Sequence, residues 1–295
     1  DTQADGLTHS SIWCIVKDNQ GTLWLGTYFG GVNYFNPEYE IYTRYSYSSN
    51  EKKGLSNPVV GRTIEDKDGN LWIGTEGGGL NYYNRRTREF KWYRPQEGRN
   101  SISHNNVKAL YYDADKEIIW IGTHLGGLNK LDIRSGHFTH YRMEGNNPQS
   151  LPSDIIRDIT PYKDLLIIAT QNGVCLFNPA NGQCRQLFKD SKEGKSIKMV
   201  ADVVFDSEGT LWIAATGEGV FSYRFDTRKL TNYRHDAANP NSLSNNNVNN
   251  ITQDSKGNLW FSTSGSGLDL YRPETNDFEN FDKGKNGLAS DCIYE

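Results

Sequence analysis

A short apolar segment that ends in a small residue and threonine recurs six times along this chain of 295 residues. The copies are Leu23–Thr27, Leu71–Thr75, Ile119–Thr123, Leu166–Thr170, Leu211–Thr216 and Leu259–Thr263. With Trp24, Trp72, Trp120, Ile168, Trp212 and Trp260 as anchor positions, the spacings are 48, 48, 48, 44 and 48 residues. Strand-like units repeated about every 40 to 50 residues are typical of a β-propeller, in which each repeat forms one blade.

The second repeat shows how the chain predicts four strands. An apolar stretch at 59–64 precedes the turn residues 66–70, and the strand at 71–75 follows. Glycines 77–79 predict a close turn into a third strand at 80–84, and an aromatic segment at 90–93 supplies the fourth. We therefore expect an all-β protein, a β-propeller built from four-stranded antiparallel blades.

The repeats run near 7–54, 55–101, 102–150, 151–196, 197–242 and 243–287. Residues 288–295 are in phase with 7–12, so they predict the first strand of a seventh repeat. Residues 1–295 then form either a single six-bladed propeller domain with a spare strand or a fragment of a seven-bladed one. The incomplete last repeat favours the fragment.

The fourth repeat departs from the others. Phe90, Phe138 and Phe278 each follow their anchor by 18 residues, whereas Cys184 follows Ile168 by 16. We therefore predict a loop two residues shorter at 170–173 and a different rim in this blade. Cys175 lies on the neighbouring strand, but the expected register does not place it directly opposite Cys184. Cys184 is interpreted as a small buried hydrophobe, and a disulfide between the two stays open.

The recurring tryptophans and aspartates both favour structural roles. A tryptophan at one position of five repeats is expected to pack between adjacent blades rather than to stack on a ligand. The Asp-x-x-Gly segments (Asp18–Gly21, Asp66–Gly69, Asp206–Gly209, Asp254–Gly257) lack the further alternating carboxylates of a calcium loop. They predict hairpin turns instead.

Composition narrows the function. The formal net charge of −4 argues against direct nucleic-acid binding by this region. No apolar run approaches the roughly 18 residues that a membrane helix requires, so we expect membrane attachment only through segments outside this chain. The four cysteines form no Cys-x-x-Cys pair, and neither a metal site nor a cofactor is predicted.

The motifs resemble the two-component regulator propeller repeat. They are Leu243–Val248 (LSNNNV), Asp66–Thr75 (DKDGNLWIGT), Gly78–Asn81 (GGLN) and Phe138–Tyr141 (FTHY), and the resemblance covers essentially the whole chain. In that family such repeats form the periplasmic sensor of hybrid two-component histidine kinases, typically in Bacteroides-type bacteria. The resemblance implies a periplasmic sensor region that recognises an oligosaccharide. It also implies a homodimeric parent protein whose kinase lies outside this chain.

In a propeller, the loops that enter the first strands and the loops that join the second and third strands lie on one face, around the central channel. We expect a ligand to bind at this rim. Residues there vary between repeats while their flanks do not, as expected when the scaffold is fixed and the rim carries recognition. Aromatic, amide and charged side chains suit a hydroxyl-rich sugar, and three basic residues could favour an acidic one. The ligand-binding candidates are Tyr28, Phe29, Arg62, Glu76, Lys108, His124, Arg157, Asp158, Gln171, Asp202 and Glu218, with Trp13, Asn172, Asn250 and Ser264 beside them.

Two other functions remain open. A propeller glycoside hydrolase or lyase would use Glu76, Asp158, Glu218 or His124 as acid–base groups, but the sequence shows no carboxylate pair held together. We therefore predict no catalytic residue and no enzyme activity for this region. A protein-interaction scaffold is the other alternative, although the Trp-Asp and Gly-His marks of WD40 repeats are missing.

Overall fold

The computed structural model describes residues 6–36 and 41–293, and it contains six four-stranded antiparallel sheets in which strand order follows the sequence. Blade 1 comprises β1 (Ile12–Lys17), β2 (Leu23–Thr27), β3 (Gly31–Asn36) and β4 (Ile41–Tyr45). Blade 2 comprises β5 (Val60–Glu65), β6 (Leu71–Thr75), β7 (Gly79–Asn84) and β8 (Glu89–Tyr93). Blade 3 comprises β9 (Val107–Asp113), β10 (Ile118–Thr123), β11 (Leu128–Asp132) and β12 (Phe138–Tyr141).

The second half repeats this arrangement. Blade 4 comprises β13 (Ile156–Tyr162), β14 (Leu165–Thr170), β15 (Gly173–Phe177) and β16 (Cys184–Gln186). Blade 5 comprises β17 (Val200–Phe205), β18 (Leu211–Ala215), β19 (Gly219–Arg224) and β20 (Lys229–Tyr233). Blade 6 comprises β21 (Val248–Gln253), β22 (Leu259–Thr263), β23 (Leu268–Arg272) and β24 (Asp277–Phe281), followed by the short helix α1 (Lys283–Asn286). The predicted fold class, a β-propeller of four-stranded blades, is confirmed.

The chain divides into two compact units. The first is formed by residues 1–142 with 154–156 and holds blades 1 to 3. The second is formed by residues 143–153 with 157–295 and holds nearly all of blades 4 to 6.

Each turn aspartate is tied to the anchor tryptophan of its own blade. Asp18 Oδ1 accepts hydrogen bonds from the backbone N–H of Gln20 and Thr22, and Asp18 Oδ2 accepts from the indole N–H of Trp24 at 2.7 Å. Blades 2, 5 and 6 repeat the indole bond to Asp66, Asp206 and Asp254. The six-residue spacing from Asp to Trp therefore joins the turn to the core, and the turn interpretation is confirmed.

Trp24, Trp72 and Trp212 pack between neighbouring blades, as predicted. Trp24 lies among Val60, Ile73 and Tyr83 of blade 2, and Trp72 lies among core residues of blade 3. Trp72 and Trp120 are each only 1% exposed. Burying side chains of this size stabilises the apolar contact between adjacent blades.

The fourth repeat corrects two predictions. Thr170 pairs with Gly173 at the end of β14, just as Thr75 pairs with Gly79 at the end of β6. Counting back from this threonine, the residue equivalent to the anchor Trp72 is Ile167, not Ile168. The loop between β14 and β15 has two residues, 171–172, where β6 and β7 are joined by three. It is therefore one residue shorter, not two.

Cys175 and Cys184 form a disulfide with Cα atoms 6.0 Å apart. The predicted register is right, since Cys184 lies opposite Phe177 and Cys175 lies opposite Gln186. The predicted burial of Cys184 is confirmed, since the residue is 2% exposed. The disulfide that the sequence left open is present, because a diagonal pair on one face of a sheet also comes within disulfide range.

The partial seventh repeat docks on blade 6 as the start of a repeat does elsewhere. The backbone N–H of Gly267 donates to the carbonyl of Asp291 at 2.8 Å, just as that of Gly79 donates to Asn105 at 2.7 Å. Residues 264 and 292 also form an isolated bridge.

Candidate functional site

The loop between the second and third strands has the same closure in most blades. Thr27 Oγ1 donates to the carbonyl of Gly31 at 2.8 Å, and Thr75 Oγ1 donates to Gly79 at 2.9 Å. Thr123 and Thr263 repeat the bond at 2.9 Å. The side chains between these residues are therefore presented on a fixed backbone.

Two of these loops carry a large apolar residue where the others carry glycine. In the loops of blades 2, 5 and 6, the middle residue is a glycine with positive φ: 102° at Gly77, 82° at Gly217 and 96° at Gly265. Blade 1 places Phe29 there with φ 71°, and blade 3 places Leu125 with φ 69°. Their side chains are 59% and 56% exposed. Both side chains are therefore held in a left-handed conformation that glycine adopts at less cost.

Aromatic rings gather at the blade 1 loop. The Trp13 and Tyr28 rings stack with centroids 5.1 Å apart and planes 12° apart. Phe29 meets Tyr28 edge to face at 4.3 Å, and His9 lies 6.4 Å from Tyr28. Together these rings offer a rigid apolar surface that is partly open to solvent.

An ion pair adjoins the aromatic surface. Lys108 of blade 3 pairs with Glu76 of the blade 2 loop, and its ammonium lies 5.9 Å from the centroid of the Trp13 ring. Glu76 is fixed further by a backbone bridge to Asn106. We call Trp13, Tyr28, Phe29, Glu76 and Lys108 the rim cluster; it lies wholly within the first unit.

β-bulges aim two of these side chains. The pairing of β1 with β2 shifts between Ile12 and Cys14, which leaves Trp13 as the extra residue. The pairing of β9 with β10 shifts in the same way around Lys108. A bulge re-aims the inserted side chain and is common beside functional sites.

The other two candidates of the first unit, Arg62 and His124, are not part of the rim cluster. Arg62 lies in the corresponding irregular stretch of β5 and is half-buried. His124 lies in the blade 3 loop, with its ring 6.5 Å from that of His104. Burial and the nearby Arg142 guanidinium lower the pKa of His104.

The remaining candidates lie in the second unit. Arg157 and Asp158 are half-buried on β13, and Gln171 is exposed in the blade 4 turn. Glu218 pairs with Arg234. Asp202 differs from these, since it is 2% exposed and its Oδ2 accepts a hydrogen bond from the backbone N–H of Ile251 at 2.7 Å. Its contact therefore joins β17 to β21.

Sequence reasoning missed three features of this site. Leu125 was not among the candidates, although a leucine in place of a loop glycine was a visible signal. His9 and Asn106 were also missed, because they act through ring and backbone contacts that have no sequence pattern. The pairing of Glu76 with Lys108 joins two repeats and has no signal in the spacing.

The arrangement suits an uncharged, hydroxyl-bearing ligand. Stacked rings bind the C–H face of a sugar, while the carboxylate of Glu76 accepts and the ammonium of Lys108 donates hydrogen bonds. Because Glu76 neutralises Lys108, the rim cluster has little net charge to attract an acidic sugar.

Within residues 6–36 and 41–293, no group of three His, Cys, Asp or Glu side chains is placed to hold a metal ion. Over the same residues, no helix has the length and apolar character needed to cross a bilayer.

Six four-stranded meanders, four of which have an Asp–Trp bond in the hairpin, define a β-propeller repeat protein. The sequence model of the two-component regulator propeller matches residues 6–29, 54–77, 101–124 and 242–265. The chain therefore carries two-component regulator propeller repeats, and the resemblance predicted from its motifs is confirmed. No curated protein sequence matches the chain.

Solved structures share the fold. The extracellular domain assigned to one hybrid two-component system of B. thetaiotaomicron aligns over 99% of this chain and 38% of its own, with 23% identity and a TM-score of 0.80. A second such domain from the same organism aligns over 94% of this chain and 36% of its own, with 23% identity and a TM-score of 0.71. PorZ, a surface component of the type-IX secretion system of Porphyromonas gingivalis, aligns over 100% of this chain and 45% of its own, with 15% identity and a TM-score of 0.69. The chain thus spans less than half the length of each.

Proposed function

We propose that this chain is part of the extracellular or periplasmic sensor region of a hybrid two-component system. Four matches to two-component regulator propeller repeats support this proposal, as does the similarity of fold to extracellular domains of such systems. The Cys175–Cys184 disulfide agrees with an oxidising compartment outside the cytoplasm. In this proposal the region has no enzyme activity and passes its signal to a kinase elsewhere in a dimeric parent protein.

The ligand in this proposal is an oligosaccharide bound at the rim cluster. The observation that carries the proposal is the exposed Phe29, held at a positive φ where the loops of blades 2, 5 and 6 have glycine, beside the stacked Trp13 and Tyr28. The balanced charge of Glu76 and Lys108 favours a neutral sugar. The acidic sugar suggested by the basic residues in the sequence becomes the second choice.

Thermal unfolding in the presence of neutral and acidic oligosaccharides tests this proposal. A ligand that binds only the folded state raises the midpoint of unfolding in proportion to the logarithm of its concentration above Kd. We expect a neutral oligosaccharide to raise the midpoint, and Phe29→Ala and Trp13→Ala to abolish that rise.

Tyr47→Ala is the matched control, because Tyr47 is 57% exposed and lies outside the rim cluster. Loss of the response in Tyr47→Ala as well would show that the effect is not local. A response that survives Phe29→Ala would contradict binding at the rim cluster. Release of shortened sugars on incubation, read by chromatography, would instead favour the glycoside hydrolase alternative.

A further inference from the structure

A groove lies beside the outer edge of blade 4, in the second unit. Its outermost strand, β16, has three residues, whereas β20 and β24 have five each. The groove has a volume of about 660 Å³, and its apolar lining includes Leu165, Leu176, Phe188 and Tyr223. Cavities of about 300 to 1,000 Å³ accommodate small organic ligands.

One wall of this groove is held in place by a compact turn. Phe188 has φ 64°, and its ring meets Tyr223 edge to face at 4.7 Å. The carbonyl of Phe188 accepts hydrogen bonds from both the backbone N–H and the hydroxyl of Ser191, each at 3.1 Å. A Cβ on Gly194 would lie 2.3 Å from the Cβ of Phe188. The turn therefore packs directly on Phe188 and leaves its ring in the groove.

The segment around the groove is basic in a chain whose net charge is −4. Residues 185–198 contain five basic side chains and two acidic ones. Arg185 and Lys189 line the groove, together with Asp190, and all three are exposed. Within the described part of the chain, neither Arg185 nor Lys189 takes part in an ion pair. Two cations without carboxylate partners beside an apolar surface match an anionic headgroup on an apolar body.

We propose that this groove binds an amphiphilic organic anion, a small molecule with one carboxylate or sulfonate and an apolar body. The apolar body packs on Leu176, Phe188 and Tyr223, and the anion pairs with Arg185 and Lys189. This site shares no residue with the rim cluster and does not depend on the proposed sensor function.

Fluorescence titration with 8-anilinonaphthalene-1-sulfonate tests the proposal, with dodecanoate as a competitor. We expect saturable binding of one molecule per chain and its displacement by dodecanoate. Arg185→Glu combined with Lys189→Glu should weaken binding at least tenfold. Phe188→Ala should weaken it independently of charge.

Two controls make the result specific. Lys256→Glu combined with Lys283→Glu makes the same change of net charge at exposed lysines that do not line the groove, and it should leave the Kd unchanged. N-phenyl-1-naphthylamine has the same rings without the sulfonate, and it should bind at least tenfold more weakly to the unmodified protein. Circular dichroism confirms that each variant is folded.

Three results would overturn the proposal. One is the absence of saturable binding to the unmodified protein. Another is equal binding by the groove and control charge variants. The third is equal affinity for the sulfonate and its neutral analogue.

Discussion

Two exposed side chains hold a backbone conformation that equivalent loops give to glycine. The left-handed region costs a non-glycine residue about 1–2 kcal/mol. Phe29 and Leu125 nevertheless stand where Gly77, Gly217 and Gly265 stand in other blades. Neither side chain recovers this cost by burial, since both are more than half exposed. This is why we interpret the blade 1 and blade 3 loops as shaped for a ligand rather than for stability.

Replacing one of these residues by glycine should therefore stabilise the fold. Leu125→Gly removes the left-handed strain but adds chain entropy to the unfolded state, which offsets about 0.5–1 kcal/mol. We expect a net gain of up to about 1 kcal/mol in the free energy of unfolding, measured by denaturant titration. Met143→Gly is the control, because Met143 is 53% exposed without a positive φ. A loss of stability in Leu125→Gly equal to that in the control would contradict the strain argument.

Asp269 is a buried carboxyl at a position where blades 1 to 3 carry an amide. Asn33, Asn81 and Asn129 occupy the equivalent place, and Asn81 accepts from the backbone N–H of Ser56 as Asp269 accepts from that of Ser244. Asp269 is fully buried, and this burial raises its pKa to about 6, although hydrogen bonds from Ser244 and Asn280 oppose the rise. The ordinary value is 3.8.

The raised pKa makes stability depend on pH. Between pH 4 and 6, approximately, the folded state holds a proton that the unfolded state has released, so stability is greatest below this window and falls as pH rises through it. A difference of about two units corresponds to about 3 kcal/mol. From pH 4 to pH 7, the free energy of unfolding of Asp269→Asn should therefore rise by about 3 kcal/mol relative to that of the unmodified protein.

Denaturant titration at both pH values checks this, because any constant cost of reorienting Asn280 cancels in the difference. A stability difference between the two proteins that does not change with pH would rule out Asp269 as the titrating group.

At the scale of the strand, a glycine in the second strand sets how closely consecutive blades approach. A Cβ on Gly26 would lie 2.6 Å from Val60 Cγ1, one on Gly74 would lie 2.6 Å from Val107 Cγ1, and one on Gly122 would lie 2.5 Å from Ile156 Cγ2. Each of these partners belongs to the first strand of the next blade. Blades 4 and 5 have Ala169 and Ala214 at this position, so the spacing is adjusted blade by blade.

Gly74→Ala should accordingly be destabilising. Its φ is not positive, so the added methyl acts chiefly through the clash with Val107, with the Arg62 carbonyl oxygen further away at 3.3 Å. Overpacking of this kind costs about 1–3 kcal/mol. Adding Val107→Ala should recover part of the loss. Gly145→Ala is the control, since a Cβ there meets nothing within 4 Å. Equal unfolding midpoints for Gly74→Ala and Gly145→Ala would show that the blades can separate without cost.

Most strands could be predicted because the same sequence pattern recurs in each repeat. The tryptophan anchors, the Asp-x-x-Gly turns and the glycine loops predicted the strands of blades 2, 3, 5 and 6 and their order. The anchor of blade 4 was misplaced by one residue because Ile167 and Ile168 are both buried and neither carries the indole that marks the position. The disulfide was left open by the sequence because diagonal pairing depends on strand twist and not on residue spacing.

The candidate site could be predicted only in part. Tyr28, Phe29, Glu76 and Lys108 were named from the loop and strand positions, but their mutual contacts join separate repeats. Asp202 was expected to face a ligand, and instead its carboxylate bonds to the backbone of β21. A repeat pattern gives the position of a residue within its blade, whereas side-chain partners depend on which residue the neighbouring blade presents.

At the scale of the whole molecule, burial decreases from the second strand of a blade to the fourth. All five residues of β6 and of β18 are buried, whereas β8 has one buried residue and β20 has none. The fourth strand is also held by one neighbour only. The free energy of local opening should therefore fall outward within every blade.

Hydrogen exchange read by mass spectrometry checks this gradient. Peptides covering 71–75 and 211–215 should exchange at least about tenfold more slowly than those covering 89–93 and 229–233, because exchange from the inner strands requires opening of the blade. Blade 4 provides an internal test, since β16 is short but joined to β15 by the Cys175–Cys184 disulfide. A reductant should speed exchange at 184–186 and leave the other fourth strands unchanged. Uniform exchange across each blade would mean that blades open as single units, and the outer strands would then contribute as much to stability as the inner ones.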